Sequence, residues 1–516
     1  LVVDQLGFET LQRMRRHFGR GGFERLAAEG ASFQQAHYGH LTTFTGPGHA
    51  CISSGSYPHR NGIVANRIHD RGLGRAVTML FDPSHPILEA APDPEDDTSP
   101  AAFTGETLAD RLRAATGMRG KVVAIALKDR AAVLLAGRLG QAYWFSEQTG
   151  RMTTSTWYTK ELPAWVKAFN ARAPADQAFG RRWERALPEK AYTGEDHAAW
   201  ELDQSGLGTT FPHKVDGGAE KPGPSFYRAF AATPFGLELQ LEFARAAIEA
   251  EGLGRDEVPD LLALSFTSTD YAGHLYGPDS HEVQDLLVRL DRALAALLPV
   301  LEKAAGGRAN LVLALTADHG AAPVPEYMAS LGHPAARIGK QKLVDAINAA
   351  LRPRFGEGEW VTAIEEPSVY LNAELIRARK LDPALVQQAA GQAAVAVPGM
   401  EGFFTRASLE SGTVPQTPLG RAAQLSFHPA HSGDLLLFAK PFYLWGRYAD
   451  RAGGTGHGTP WRYDTHVPLL FWGGGIRAGV HADRADVADV APSLSALLGI
   501  GAPAAAEGQA LPQLFR

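Results

Sequence analysis

The chain has 516 residues, 45% of them hydrophobic and 21% charged, which places it in the globular range with length enough for a large core and insertions. Its formal net charge of -6 offers no overall attraction to a polyanion, so no nucleic-acid partner is expected. The single cysteine, Cys51, excludes an intrachain disulfide framework and a cysteine-rich metal cluster, and no apolar run reaches the roughly 18 residues of a membrane span.

Leu1 to Asp4 read as the tail of a strand already under way, so the natural protein is expected to begin earlier and to carry any targeting signal there. Short apolar runs then recur at wide spacing between helical patterns: Lys121 to Ala126, Leu261 to Phe266, Leu311 to Thr316, Asp434 to Phe438 and Val467 to Trp472. Their continuous apolar character is what strands buried on both faces require, so an α/β core around a mainly parallel sheet is expected. Residues 1–140, 237–325 and 431–516 are assigned to this core. Residues 141–236 carry Trp144, Trp157, Trp165, Trp183 and Trp200 among charges, prolines and glycines, and read as a folded cap whose tryptophans pack internally. Residues 326–430 read as a small α+β insertion, with helices at Gln341 to Leu351 and Ala384 to Ala394 and strands at Glu359 to Ile364 and Ser368 to Leu371.

Four strand ends run into polar residues: Asp4; Lys128 and Arg130; Asp270; and Asp318 with His319. In open α/β sheets the ligand crevice lies outside the carboxyl ends of the strands, so the four together predict a site. Asp270 and His274 are four apart and share a face if a helical turn begins there. Asp318 and His319 converge only where their strand breaks, which Gly320 permits. His457 lies between Gly456 and Gly458, which let an imidazole approach a crowded centre. With Asp4 these make three carboxylates and three imidazoles, a donor set suited to two zinc ions with three protein ligands each.

A hydroxyl-rich run, His40-Leu41-Thr42-Thr43-Phe44-Thr45-Gly46-Pro47-Gly48-His49-Ala50, lies after the first strand. A threonine followed by Gly-Pro-Gly and a helix-compatible stretch sits at a helix N-terminus, where free N–H groups favour an anion. Thr42 and Thr43 are alternative hydroxyls on these grounds. Lys128 and Arg130, two apart after a strand, point to one side if the segment is extended. His49, His59 and His466 read as structural.

In order along the chain, Asp4, Thr45 in Thr-Phe-Thr-Gly-Pro-Gly-His-Ala, Asn66 in Gly-Ile-Val-Ala-Asn, Lys128-Asp129-Arg130, Asp270 to His274, Asp318-His319 and His457-Gly458-Thr459-Pro460 closely resemble the PafA-type alkaline phosphatases. The resemblance runs from residue 4 to about residue 470. It implies a doubly wound α/β fold with a cap, and an exported, periplasmic or secreted, monomeric enzyme acting on small phosphate monoesters. It further implies that Asp270, His274 and His457 hold one zinc ion and that Asp4, Asp318 and His319 hold the other beside the Thr45 oxygen. Thr45 is then the nucleophile of a phosphothreonine intermediate, and Asn66, Lys128 and Arg130 grip the phosphoryl oxygens. The main rival is a nucleotide pyrophosphatase/phosphodiesterase, which shares the metal set but does not match at Lys128-Asp129-Arg130. A sulfatase lacks support because Cys51 is followed by Ile52-Ser53-Ser54-Gly55. A phosphoglycerate mutase resembles the spacing less. A binding protein with a dead site predicts a missing ligand or nucleophile, and none is missing.

Overall fold

The computed structural model describes residues 1–89 and 97–515. Among them, nine strands form one sheet in the order Gly479–Asp486, Ala31–His37, His466–Gly473, Val312–Thr316, Val2–Val3, Leu261–Phe266, Val122–Ala126, Gln141–Ser146, Arg151–Thr153. The centre and one wing are parallel, Val2–Val3 lying between Leu261–Phe266 and Val312–Thr316. His466–Gly473 enters antiparallel to both its neighbours, so the sheet is mixed and mostly parallel.

The apolar runs form strands because their residues are buried on both sides; Val122–Ala126 is buried throughout. Helices Phe8–Met14, Phe23–Glu29, Pro234–Glu251 and His281–Ala304 pack with one another and on the sheet. A second set, Thr45–Ser54, Leu108–Ala115, Asp129–Ala136 and Val490–Leu497, does likewise. Two separate helical layers on one sheet make the doubly wound arrangement.

Two sequence expectations change. The run expected as a core strand at Asp434 to Phe438 forms Leu435–Ala439, but in a separate four-stranded antiparallel sheet with Val361–Glu365, Ser368–Leu371 and Met400–Thr405. That sheet has its own core around Trp360, Leu343, Val386 and Leu437, closed by helices Lys340–Phe355 and Pro383–Val395. An all-apolar run reports burial, not which sheet does the burying. The segment expected to open the cap at residue 141 instead begins with Gln141–Ser146 and Arg151–Thr153, which extend the main sheet at its edge.

Beyond that edge, the tryptophan-rich segment is pinned to the long helix His281–Ala304 at Asp285 and again at Glu282, which lies 2.9 Å from His213 Nε2. Ser280 caps this helix, and its buried leucines recur at helical spacing from Leu286 to Leu301. Asp285, wholly buried among them, accepts from Trp183 Nε1 at 2.7 Å, Ala186 N at 2.6 Å, Arg289 Nε at 2.6 Å and the Tyr192 hydroxyl. Truncating it strands several buried donors at about 1–3 kcal/mol each. Asp285→Ala is therefore expected to lower Tm and to expose the chain near residues 183–192 to limited proteolysis; an unchanged digestion pattern would contradict this pinning.

Candidate active site

The strand ends meet as the sequence predicts. Asp4 follows Val2–Val3 and is buried, with its backbone N–H bound to Phe266 O at 2.9 Å. Helix Ser268–Tyr276 begins directly after Leu261–Phe266, so Asp270 and His274 project from one face, with His274 Nε2 3.2 Å from Asp270 Oδ1. Asp318 and His319 follow Val312–Thr316, and both are buried. Gly320 serves them by close approach: a Cβ there would lie 2.0 Å from Tyr463 O. Gly458 combines a φ of +107° with a Cβ position 2.3 Å from the Phe44 ring, so no other residue fits there without movement.

The three imidazoles share one orientation. Nδ1 of His274 faces Thr455 O at 2.9 Å, that of His319 faces Gly320 O at 2.9 Å, and that of His457 faces Thr43 O at 2.8 Å. A carbonyl only accepts, so each Nδ1 carries the proton and each Nε2 presents a lone pair. All three Nε2 atoms turn towards the carboxylates. Asp4, Asp318 and His319 place one donor atom each within 4.8 Å of one another, and so do Asp270, His319 and His457. His319 thus belongs to both groups, and its ring stacks on that of His457 at 3.6 Å, while His274 reaches the centre through Asp270.

These residues fit metal ions. Asp4 Oδ1, Asp318 Oδ2 and His319 Nε2 are buried and make no hydrogen bond. Burial pushes the Asp4 carboxyl well above the ordinary carboxylate range, and the charges of Asp270 and Asp318 push it further. Burial alone would raise Asp270 too, but His274, Lys128 and His457 together hold it well below. Burial also drives His319 and His457 down, towards the neutral imidazole. Neutral nitrogen donors fixed by backbone carbonyls, facing buried carboxylates with unmet acceptors, are the chemistry of a borderline divalent cation such as zinc.

Thr45 is the first residue of helix Thr45–Ser54 and is fully buried. Lys128 Nζ lies 3.4 Å from Thr45 Oγ1 and 2.8 Å from Asp4 Oδ2, and also donates to Asp270 Oδ2. Gly46 N donates to Asn66 Oδ1 at 2.7 Å, which fixes the Asn66 amide beside the helix end. Of the alternative hydroxyls, Thr43 donates to Thr459 O at 2.8 Å, whereas Thr42 is buried and unpartnered; Lys128 reaches neither. The expectation for Arg130 changes: helix Asp129–Ala136 starts between it and Lys128, so the pair is not an extended i, i+2 couple. Lys128 occupies the N-cap position of that helix without capping it and points into the centre, while Arg130 stands in the first turn with Nη1 3.7 Å from Asp129 Oδ1 and a buried, unpartnered Nε.

Two neighbours, Gln5 and Tyr448, escape sequence reasoning, and a third, His49, read as structural, borders the centre. His49 is one turn beyond Thr45, its Nδ1 2.8 Å from Thr45 O and 3.3 Å from Asp318 Oδ2, and its Nε2 2.8 Å from Ser265 Oγ; it sits between helix Thr45–Ser54 and that carboxylate. Gln5, at a φ of +65°, donates from Nε2 to Asp270 Oδ1 at 2.9 Å and from N to Asp318 Oδ1 at 3.1 Å. Tyr448 stacks on His274 at 4.5 Å. Helical periodicity from Thr45 is the one signal that would have raised His49. His466, held by Glu9 and Gln34 O, and His59, against Glu507, stay outside the centre.

The family model for type I phosphodiesterase/nucleotide pyrophosphatase matches residues 1–448. The chain belongs to that family. Among its relatives, it is 34% identical to alkaline phosphatase PafA of Elizabethkingia meningoseptica over 522 residues, spanning 100% of this chain and 93% of PafA. It is 33% identical to alkaline phosphatase PhoV of Synechococcus elongatus over 520 residues, spanning 100% and 92%. The crystal structure of wild-type PafA matches it with a TM-score of 0.92 at 33% identity, covering 100% of this chain and 98% of that one. The resemblance drawn from the motifs therefore extends over the whole chain and the whole fold.

Gly48 sets the distance between helix Thr45–Ser54 and the carboxylates, because a Cβ there would lie 2.2 Å from the Asp318 carbonyl oxygen, a backbone atom that cannot swing aside. Gly48→Ala is expected to cost about 1–3 kcal/mol of stability by overpacking, read as a lower Tm. An unchanged Tm would show that the contact is not tight.

Proposed function

We propose that the protein is an alkaline phosphatase that hydrolyses phosphate monoesters through Thr45 at a site for two zinc ions. The observation that carries the reading is the placement of Thr45 Oγ1: buried at a helix N-terminus, 3.4 Å from Lys128 Nζ, beside the two carboxylate–imidazole groups. The whole-length similarity to PafA and PhoV, both alkaline phosphatases by name, supports the same class.

Asp270, His274 and His457 would hold one ion, and Asp4, Asp318 and His319 the other, next to Thr45. Bound zinc supplies Lewis-acid charge that lowers the pKa of a nearby hydroxyl and neutralises charge building up on oxygen. In the reaction Thr45 Oγ forms a bond to phosphorus as the bond to the ester oxygen breaks, the alcohol departs, and water then releases the phosphate from Thr45. The backbone N–H of Thr45 and the N–H groups of Asn66 would donate to phosphoryl oxygens, since Gly46 N–H is already given to Asn66 and Gly48 N–H to Phe44 O. Lys128 and Arg130 supply two positive charges, which favour the dianion of a monoester over the singly charged diester. The resemblance also supports a periplasmic or secreted monomer; among the described residues, no helix is long and apolar enough to cross a membrane.

The family model names phosphodiesterases, so diester hydrolysis is the second reading. The discriminating measurement is kcat/KM for p-nitrophenyl phosphate against bis-p-nitrophenyl phosphate with zinc-loaded protein at alkaline pH. A monoester preference of several orders of magnitude is expected, and Lys128→Ala with Arg130→Ala should shrink it; a diester preference would overturn the assignment. Metal removal gives an independent check. Chelation is expected to lower Tm and zinc to restore it, with about two equivalents bound by elemental analysis. Asp318→Ala should lose about one of them, and a protein that binds none would contradict the site.

A further inference from the structure

One side of the site is framed by a loop that the reaction outlined above leaves unused. The Tyr448 ring lies on His274 with an interplanar angle of 15°, and its hydroxyl is 3.0 Å from His274 Nε2. Gly456 makes room for it, since a Cβ there would come within 2.6 Å of the ring. Arg337 fixes the loop, donating to Tyr448 O at 3.1 Å and Gly454 O at 2.6 Å while Glu326 accepts from its Nε at 2.7 Å.

Arg451 lies over the same tyrosine, its Cζ 5.4 Å from the ring centroid. Arg337 has a carboxylate; Arg451, among the described residues, has neither an ion pair nor a hydrogen bond. Burial, with Arg447 and Arg337 close by, pulls its guanidinium below the usual arginine value despite Tyr448 and Asp270 acting the other way. A half-buried cation, crowded by two others and paired with no acid, is electrostatically incomplete, and stacking on an aromatic face orients its planar fork. Its position decides what would complete it. On the proposed function Thr45 would stand beside Asp4, Asp318 and His319, and an in-line displacement would then send the departing alcohol to the other side, towards His274, on which Tyr448 stacks with Arg451 over its ring.

We propose that Arg451, seated on Tyr448, is a specificity-determining residue that pairs with a second anionic group on the leaving alcohol. The preferred substrates are then phosphate monoesters whose alcohol carries its own carboxylate or phosphate. The inference rests on the phosphomonoesterase reading and adds the substrate class. Arg451 touches the distant part of the substrate and takes no part in bond making, so its effect is confined to discrimination between leaving groups.

The test compares 3-phosphoglycerate with glycerol 3-phosphate, two alkyl esters that differ in a carboxylate. Each is assayed on zinc-loaded wild type, Arg451→Gln and Arg451→Lys, and the quantity read is the ratio of the two kcat/KM values. The wild type is expected to favour 3-phosphoglycerate, Arg451→Gln to lower the ratio about tenfold, and Arg451→Lys to retain most of it. Taking a ratio removes any loss of folded enzyme, which lowers both rates alike. A ratio that Arg451→Gln leaves unchanged would overturn the inference while the phosphatase reading stands. A wild type inactive on both esters would remove that reading and the inference with it.

Discussion

Three carboxylates, Asp4, Asp270 and Asp318, are buried in one crevice, and the site is organised around the cost of that arrangement. Taking one ionised carboxylate out of water is expensive, and three that face one another are unstable unless positive charge is supplied among them. Lys128 supplies part of it, reaching Asp4 and Asp270 at once, and is held above the ordinary lysine value by those two carboxylates against the opposing pull of burial. The acceptors that stay unmet, on Asp4 and Asp318, are those that face a free imidazole nitrogen. A centre with this balance fits cations, and its two groups of donor atoms are placed to hold them.

The scaffold turns that demand into geometry. Each carboxylate stands at the end of its own central strand, so the sheet register fixes their separations: Val3 pairs with Phe266 and Val2 with Thr316. Backbone carbonyls from Thr43, Gly320 and Thr455 then fix the three imidazoles, and two of these come from loops distant in sequence. Glycines at 48, 320 and 458 serve where another chain passes too close for a side chain. Helix Thr45–Ser54 is placed by the same contacts, through Gly48 on Asp318 and His49 between Thr45 and Asp318.

Much of this was legible in the sequence, for a physical reason. Central strands such as Leu261–Phe266 and Val312–Thr316 must be apolar on both faces, and the residues after them carry the chemistry, so run and motif are read together. The edges were not legible. Ala31–His37 contains Gln34 and Gln35, and Gly479–Asp486 is largely exposed and charged, so neither has the signature of a buried strand. Leu435–Ala439 has that signature but serves the other sheet. At the site, residues whose role lies in their own chemistry and local spacing could be named. Placement set by tertiary structure could not be read: Gln5 acts through a left-handed backbone and goes unnamed, His49, read as structural, borders the centre through a helix face, and Arg130, named beside Lys128, is set apart from it by a helix start that spacing alone does not reveal.

The central claim is that Thr45 carries the phosphate during turnover, and trapping tests it most directly. Zinc-loaded protein would be mixed with a phosphate monoester, quenched in acid, digested and examined by mass spectrometry for a phosphorylated peptide. The account predicts one phosphate on the peptide containing Thr45, absent from Thr45→Ala. A phosphate on Thr42 or Thr43 instead, or turnover that persists in Thr45→Ala, would contradict it.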